Sequence, residues 1–455
     1  MTTPDLNLLD NFDPSIRRAA LADLASRTPA PPVGGNVNMH LHSFFSFNAQ
    51  GWSPTRIAWE ARQGGLYAAA LCDFDVLDGM AEFLDAALTL GLRAAAHLET
   101  RAYLREFADA EINSPGEPGV TYIMGMGFTR IFPDGTPQAA TLAALRAGAA
   151  ERNRALAARI NPHLGPAAVD YERDVVPLSP GGCPTERHLM RAYVDRARIA
   201  FPDPAALAAW WAQTLGVSAD EAVRLLEQRA ALENRARAKL AKRGGVGYAA
   251  PTPGTFPPAD DFVAWVRSCD AIPTVTWLDG TSRGESSANA MLDCLEAKGC
   301  AAANIIPERN WNYRDPAVKA VKTAKLREFV EACASRHLPV NIGTEMNSDG
   351  LPFADDLDGE ALRPYREIFR QGAAVMVGHT LLARYADFPY PGAAAQAEFG
   401  ADRAAKNRFF ASAGNLPPLT TAAAARLQAS GPQKALAAFR SAVRMKQTAC
   451  IQEKK

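Results

Sequence analysis

The chain has 455 residues, enough for a full barrel domain with additions. Its 49 Lys and Arg balance 49 Asp and Glu, so no global field argues for a nucleic-acid partner or an anionic membrane surface. No basic-then-apolar leader and no apolar run of the ~18–20 residues that span a bilayer occurs. The seven cysteines are scattered without a C-x-x-C pair, which predicts reduced thiols in a cytoplasmic protein.

Residues 1–35 read as an N-terminal helical segment. Short apolar runs then alternate with helical patterns, the signature of βα units. The first run, 37–42, precedes a helix opened by Ser53 as N-cap and Pro54 as first helical residue. A second strand is predicted over 67–73, followed by a helix over about 78–90 that Gly91 closes. Further strands are predicted over 93–99 and 120–128. From about 136 to 243 the pattern is almost wholly helical, and a Gly- and Pro-rich stretch, 244–258, leads back to strands at 271–278, 301–306 and 339–345. The run 373–378 fits an eighth strand or the start of a helix. These signals give an α/β barrel over 36–135 and 259–390. An α-helical subdomain is inserted at 136–258, and a helical C-terminal extension over 391–455 ends in a polar tail at 452–455.

The chemistry gathers at predicted strand ends, where parallel barrels place their active sites. His40 and His42 share one strand face and make a ready pair of metal ligands, or two histidines hydrogen-bonded in a polar interior. By the same alternation Asp73 and Asp75 end the second strand, and His97 and Glu99 the third. Asp73 is expected to orient a ligand or act as base, and Asp75 to cap the turn before Asp78-Gly79. Glu345 and Asn347 are assigned to one face of the last barrel strand, and both offer oxygen to a cation. His379 is a further candidate if it reaches the same mouth. Arg101, Arg283 and Arg309 are candidates to clamp an anion, and each has an ordinary surface or ion-pair reading beside it. The loop 276–285 fits either a substrate contact, with Trp277 stacking on a ring, or a simple turn before a capped helix. Loop 113–119 is turn chemistry and a candidate lid. No phosphate loop, dinucleotide fingerprint or G-x-S-x-G elbow is present.

Residues 38–54, with H-x-H-S and the Ser-Pro helix start, resemble the opening motif of the PHP (polymerase and histidinol phosphatase) family. Cys72-Asp73-Phe74-Asp75 through Gly79 resembles its T-D-H-D-x-x-x-G segment, and 96–99 its G-x-E segment. The likeness spans 36–128, and more faintly 271–347. It implies a distorted TIM-like barrel of seven βα units that binds up to three metal ions and hydrolyses phosphate esters, with His40, His42 and Glu99 as ligands and Glu99 bridging. The family's histidines are replaced at Phe74, at Ile123 or a neighbour, and in Val275-Thr276-Trp277, and its terminal Asp-x-His reads Glu345-Met346-Asn347. What is left, His40, His42, Glu99 and Glu345, suits one or two divalent ions of zinc, manganese or iron. The expectation is a metal-dependent phosphoesterase acting on a small anionic substrate. The alternatives are a non-catalytic or regulatory relative, and a single-metal enzyme of non-phosphate chemistry.

Overall fold

Seven short strands, each buried along most of its length, form one sheet in sequence order: β1 (Val37–Leu41), β2 (Ala68–Phe74), β3 (Ala94–Tyr103), β4 (Val120–Met126), β5 (Ile272–Trp277), β6 (Ala302–Ile305) and β7 (Val340–Ile342). The computed structural model describes residues 5–452, with side chains through residue 446, so the tail residues 453–455 lie outside it. The sheet curls until β1 meets the segment after β7, where Leu41 bridges Glu345. Two backbone bonds fasten that seam, Glu345 N–H to the His40 carbonyl at 2.8 Å and His42 N–H to the Glu345 carbonyl at 3.0 Å. The result is a nearly closed seven-stranded barrel within a mixed α/β chain.

Six strands run parallel, but β4 is antiparallel to both β3 and β5. A parallel return needs a crossover, usually a helix, and the loop between β3 and β4 carries only the short 3₁₀ turn Arg105–Phe107. The expectation of uniform βα units is therefore corrected at β4. This strand enters at the barrel mouth and leaves at the floor. The long helix Pro137–Leu164 then climbs back along the outside, its ~42 Å length following from 1.5 Å per residue. Thr136 caps it and Pro137 starts it. Leu145 on its first half belongs to the main core, whereas Leu156 and Ile160 join a second core with Tyr193, Trp211 and Leu232. The helices between β4 and β5 thus share an apolar cluster of their own.

The run 373–378 lies inside the helix Arg366–Ala386 and forms no eighth strand. That helix crosses the floor, where Gly372 sits so close to Val340 that a Cβ would lie 2.0 Å from its carbonyl oxygen. Among the described residues no cysteine is in a disulfide, and no helix is long and apolar enough to cross a membrane.

Candidate metal centre

His40 lies within β1 and His42 just beyond it, both buried. Glu99 comes from β3, and Glu345 from the seam with β7. One ligand atom from each of these four residues lies within 4.8 Å of the other three. Glu99 Oε2 stands 3.4 Å from His40 Nε2 and 3.5 Å from His42 Nε2. Neither Nε2 has a hydrogen-bond partner, although both are buried.

The other ring nitrogens are committed. His40 Nδ1 lies 3.0 Å from Asn304 Oδ1, an acceptor, so Nδ1 carries the proton. His42 Nδ1 lies 3.1 Å from Ser46 Oγ. That hydroxyl donates to Asp73 Oδ1 at 2.7 Å, which leaves its oxygen to accept the His42 proton. In their neutral form both imidazoles therefore present an Nε2 lone pair, the tautomer a metal needs, whereas without a metal the Glu99 carboxylate favours a proton on His40. Burial opposes charge on Glu99, but the two imidazoles outweigh it and hold the carboxyl down at about 2. Burial also opposes a proton on His40, and Cys72 and Glu99 overcome this to raise its pKa. Because burial keeps Cys72 a neutral thiol up to about 11, Glu99 is the effective counter-ion.

Glu345 is set by unusual backbone. Its φ is +64° and that of Met346 is +55°, and Met346 N–H bonds the Thr344 carbonyl at 2.7 Å. This is a positive-φ γ-turn, a rare and strained conformation for residues with a Cβ, and such strain gathers at functional sites. Arg309 Nη2 donates to Glu345 Oε2 at 2.8 Å. Burial would raise the Glu345 pKa, but Arg309 and His40 more than offset it, and Glu345 in turn raises that of Arg309.

Other predicted positions fall elsewhere. In the β2–β3 register Cys72 pairs with His97 and Phe74 with Glu99, so Phe74 faces inward and Asp73 outward. The expected inward, catalytic Asp73 is corrected: it is buried under the loop after β1, where Ser43 N–H, Ser43 Oγ and Ser46 Oγ, each at 2.7 Å, bond its two oxygens. Asp75 caps no helix, since Gly79 is the N-cap and lacks a side-chain bond. Instead, Asp75 accepts from Thr100 Oγ1 at 2.5 Å and from Arg152 of the insertion at 3.5 Å. Asn347 leaves the face of Glu345, because β7 ends at Ile342 and two left-handed residues break the alternation. It meets Arg187 at 3.5 Å.

His379 sits at the floor, with Nε2 at 2.9 Å from the Gly127 carbonyl and Nδ1 accepting from Tyr390 N–H at 3.0 Å, so it is no ligand at the mouth. The apolar floor helix carries it there. Arg101 pairs with Glu117 at 2.9 Å and stacks on Phe256, close beside the centre. Arg283 is exposed and, among the described residues, its side chain hydrogen-bonds the Asp109 carbonyl alone. The loop after β5 is a turn: Glu285 accepts from the N–H groups of Leu278, Asp279 and Gly280, and Trp277 stacks on Phe329. On β4 the residues opposite Glu99 and Arg101 are Met124 and Tyr122, so these face the interior and Ile123 does not. The loop 113–119 is pinned by Asn113, which donates to the Thr276 carbonyl at 2.8 Å.

Sequence reasoning missed Ser46, Asn304 and Arg187. Ser46 lies four residues after His42, a spacing that could have suggested a local bond. Asn304, two strands from β1 by way of β7, and Arg187, in the insertion, carry no local signal.

No protein-family model matches the chain, and no curated protein matches it. Among the solved structures to which it is similar are the following two. One is an amidohydrolase from Chromobacterium violaceum with bound sulfate and no metal, at 18% identity and TM-score 0.46, covering 73% of this chain and 95% of that one. The other, described as a metal-dependent phosphoesterase from Bifidobacterium adolescentis, has 16% identity and TM-score 0.45, covering 75% of this chain and 98% of that one.

Proposed function

We propose that this chain is a metal-dependent hydrolase of PHP type, a phosphoesterase for a small anionic substrate, with one divalent ion held by His40, His42, Glu99 and Glu345. The observation that carries the reading is the pair of buried Nε2 atoms, unpartnered and aimed at Glu99, with both rings locked through Nδ1. Two nitrogens and two carboxylates suit zinc, manganese or iron. When bound, such an ion polarises a phosphoryl oxygen and acidifies water.

The chain's own groups fix the rest. Asn304 orients His40, and Asp73, through Ser46, orients His42, so Asp73 acts as a positioning residue. Arg309 anchors Glu345 and supplies a fixed positive charge where one carboxylate oxygen would otherwise serve a second ion. Phe74, Tyr122, Met124 and Thr276 occupy the neighbouring inward positions, which argues for one ion rather than three.

The apolar Phe74 and Met124 beside Glu99 also favour a second reading, a non-catalytic protein of the same fold. Protein purified without chelator, screened on phosphomonoesters and diesters with manganese or zinc, separates the two. Hydrolysis by the wild type that disappears in His42→Ala supports the phosphoesterase. A bound ion with turnover of non-phosphate bonds alone moves the reading to single-metal chemistry of another kind. Neither ion nor turnover leaves the binding protein.

A further inference from the structure

The arginines and lysines around the mouth are matched almost one for one by carboxylates. Arg101 pairs with Glu117 at 2.9 Å, Arg152 with Asp75 at 3.5 Å and Arg309 with Glu345 at 2.8 Å. Within the insertion Arg191 pairs with Glu233 at 3.4 Å, and Glu186 takes both Arg237, at 2.6 Å, and Lys242, at 2.8 Å. Arg187 differs. Among the described residues it has no carboxylate within ion-pair distance, and its guanidinium meets only neutral oxygens, Asn234 Oδ1 at 3.0 Å and Asn347 Oδ1 at 3.5 Å.

Its surroundings make that costly. The group is half-buried, lies 5.6 Å from the centre of the Phe47 ring, and is pushed down to about 10 by burial and by the like charge of Arg237. Glu345 and Glu186 oppose that shift from beyond ion-pair distance, and a half-buried cation with no carboxylate in contact is unfavourable. Arg187 lines a cleft between the insertion and the barrel with Phe47, Asn234, Arg237, Asn347 and two carboxylates, Asp349 and Glu233, the latter already paired with Arg191 and Arg229. None of the four cluster residues lines this cleft, but the Glu345 charge acts on Arg187, which places the guanidinium near the metal cluster. A guanidinium has five N–H donors in a rigid fork, and two weak amide contacts leave most of them for an oxyanion.

We propose that Arg187 is the anchor for the substrate's phosphate group, so that the helical insertion supplies the anion-recognising half of a centre whose metal-binding half is the barrel. The substrate class that follows is a phosphomonoester small enough to lie between the insertion and the mouth. The proposal rests on reading the His40–Glu345 cluster as a hydrolytic centre.

The test is titration of inorganic phosphate into the full chain stripped of metal, followed by calorimetry, with zinc stoichiometry measured separately. Wild type is expected to bind one phosphate. Arg187→Gln weakens it roughly 10–100-fold, the range for loss of charged hydrogen bonds. Arg187→Lys keeps part of the affinity, and Arg283→Gln, an exposed control, keeps all of it. A wild type that binds no phosphate, an Arg187→Gln protein that binds it equally well, or equal displacement by acetate overturns the proposal. Should Arg187→Gln fail to fold, phenylglyoxal labelling of the wild type decides instead. Phosphate slows modification at Arg187 if the proposal holds and leaves it unchanged if not. Failure to bind zinc with phosphate binding intact sinks the hydrolase reading alone, whereas zinc binding with phosphate indifferent to Arg187 sinks this inference alone.

Discussion

The mouth and the floor of the barrel use the same side chain in opposite ways. At the mouth, His40 and His42 hold their protons on Nδ1, against Asn304 and Ser46, and present bare Nε2 atoms to Glu99. At the floor, His379 accepts the Tyr390 N–H on Nδ1 and donates from Nε2 to the Gly127 carbonyl. His97, one level below Glu99, accepts the Gly127 N–H on Nδ1, so its neutral ring carries the proton on Nε2 and offers no lone pair there. A backbone N–H that donates to one ring nitrogen forces the proton onto the other and leaves no lone pair there for a metal. A side-chain acceptor at Nδ1 turns a histidine into a ligand.

The largest effect should come from the mouth. Glu99→Gln is expected to lower zinc affinity by more than the ~100-fold upper range seen for outer partners, because it removes a charge at the centre of the cluster. Calorimetric titration checks this, and a change below tenfold would remove Glu99 from the ligand set. At the floor the loss should appear in stability. His379→Leu leaves the Gly127 carbonyl and the Tyr390 N–H unpaired, at a cost of roughly 1–3 kcal/mol each, while zinc affinity of the folded protein stays as in wild type. Urea unfolding together with zinc titration tests both halves, and a change in metal affinity alone would erase the distinction.

Next come the partners that set the mouth tautomers. Asn304→Ala and Ser46→Ala should each weaken metal binding by about 10–100-fold, with little effect on the unfolding midpoint. Indifference in both would show that the rings are held by packing alone. A last effect is on pH. Burial chiefly holds His379 down at about 4 and His188 at about 3. Between those values and the ordinary ~6.5, the unfolded chain binds more protons than the folded one, so stability rises with pH across that window. It is fully present above ~6.5 and is lost as pH falls toward 4, at up to ~1.4 kcal/mol per unit for each histidine. Unfolding midpoints at pH 7.5, 6 and 5 measure the slope.

Much of this was legible in the sequence. Strand ends rich in His and Glu located the mouth, and the Ser53-Pro54 helix start and the long helical stretch after β4 were visible from caps and periodicity. Alternation grouped His40, His42 and Glu99, although the β1–β2 register shifts between Asn38 and Leu41 and His42 lies just past the end of β1. It misled at Asp73, since a polar residue at a strand end looks inward-facing until register shows that Phe74 pairs with Glu99. It misled again at Asn347, where positive φ at Glu345 and Met346 ends the alternation. The reversal of β4 had a signal: its connection from β3 contains turn residues and no crossover helix. Asn304 and Arg187 had none, because each reaches its place through long-range topology.

X-ray absorption on the zinc-loaded full chain bears most directly on the central claim, that His40, His42, Glu99 and Glu345 together hold a single cation. The account predicts one zinc per chain with two imidazole nitrogens and oxygen in its coordination sphere, and loss of the imidazole signal in a His40→Ala, His42→Ala double variant. A chain that retains no zinc, or a zinc bound without imidazole, contradicts it.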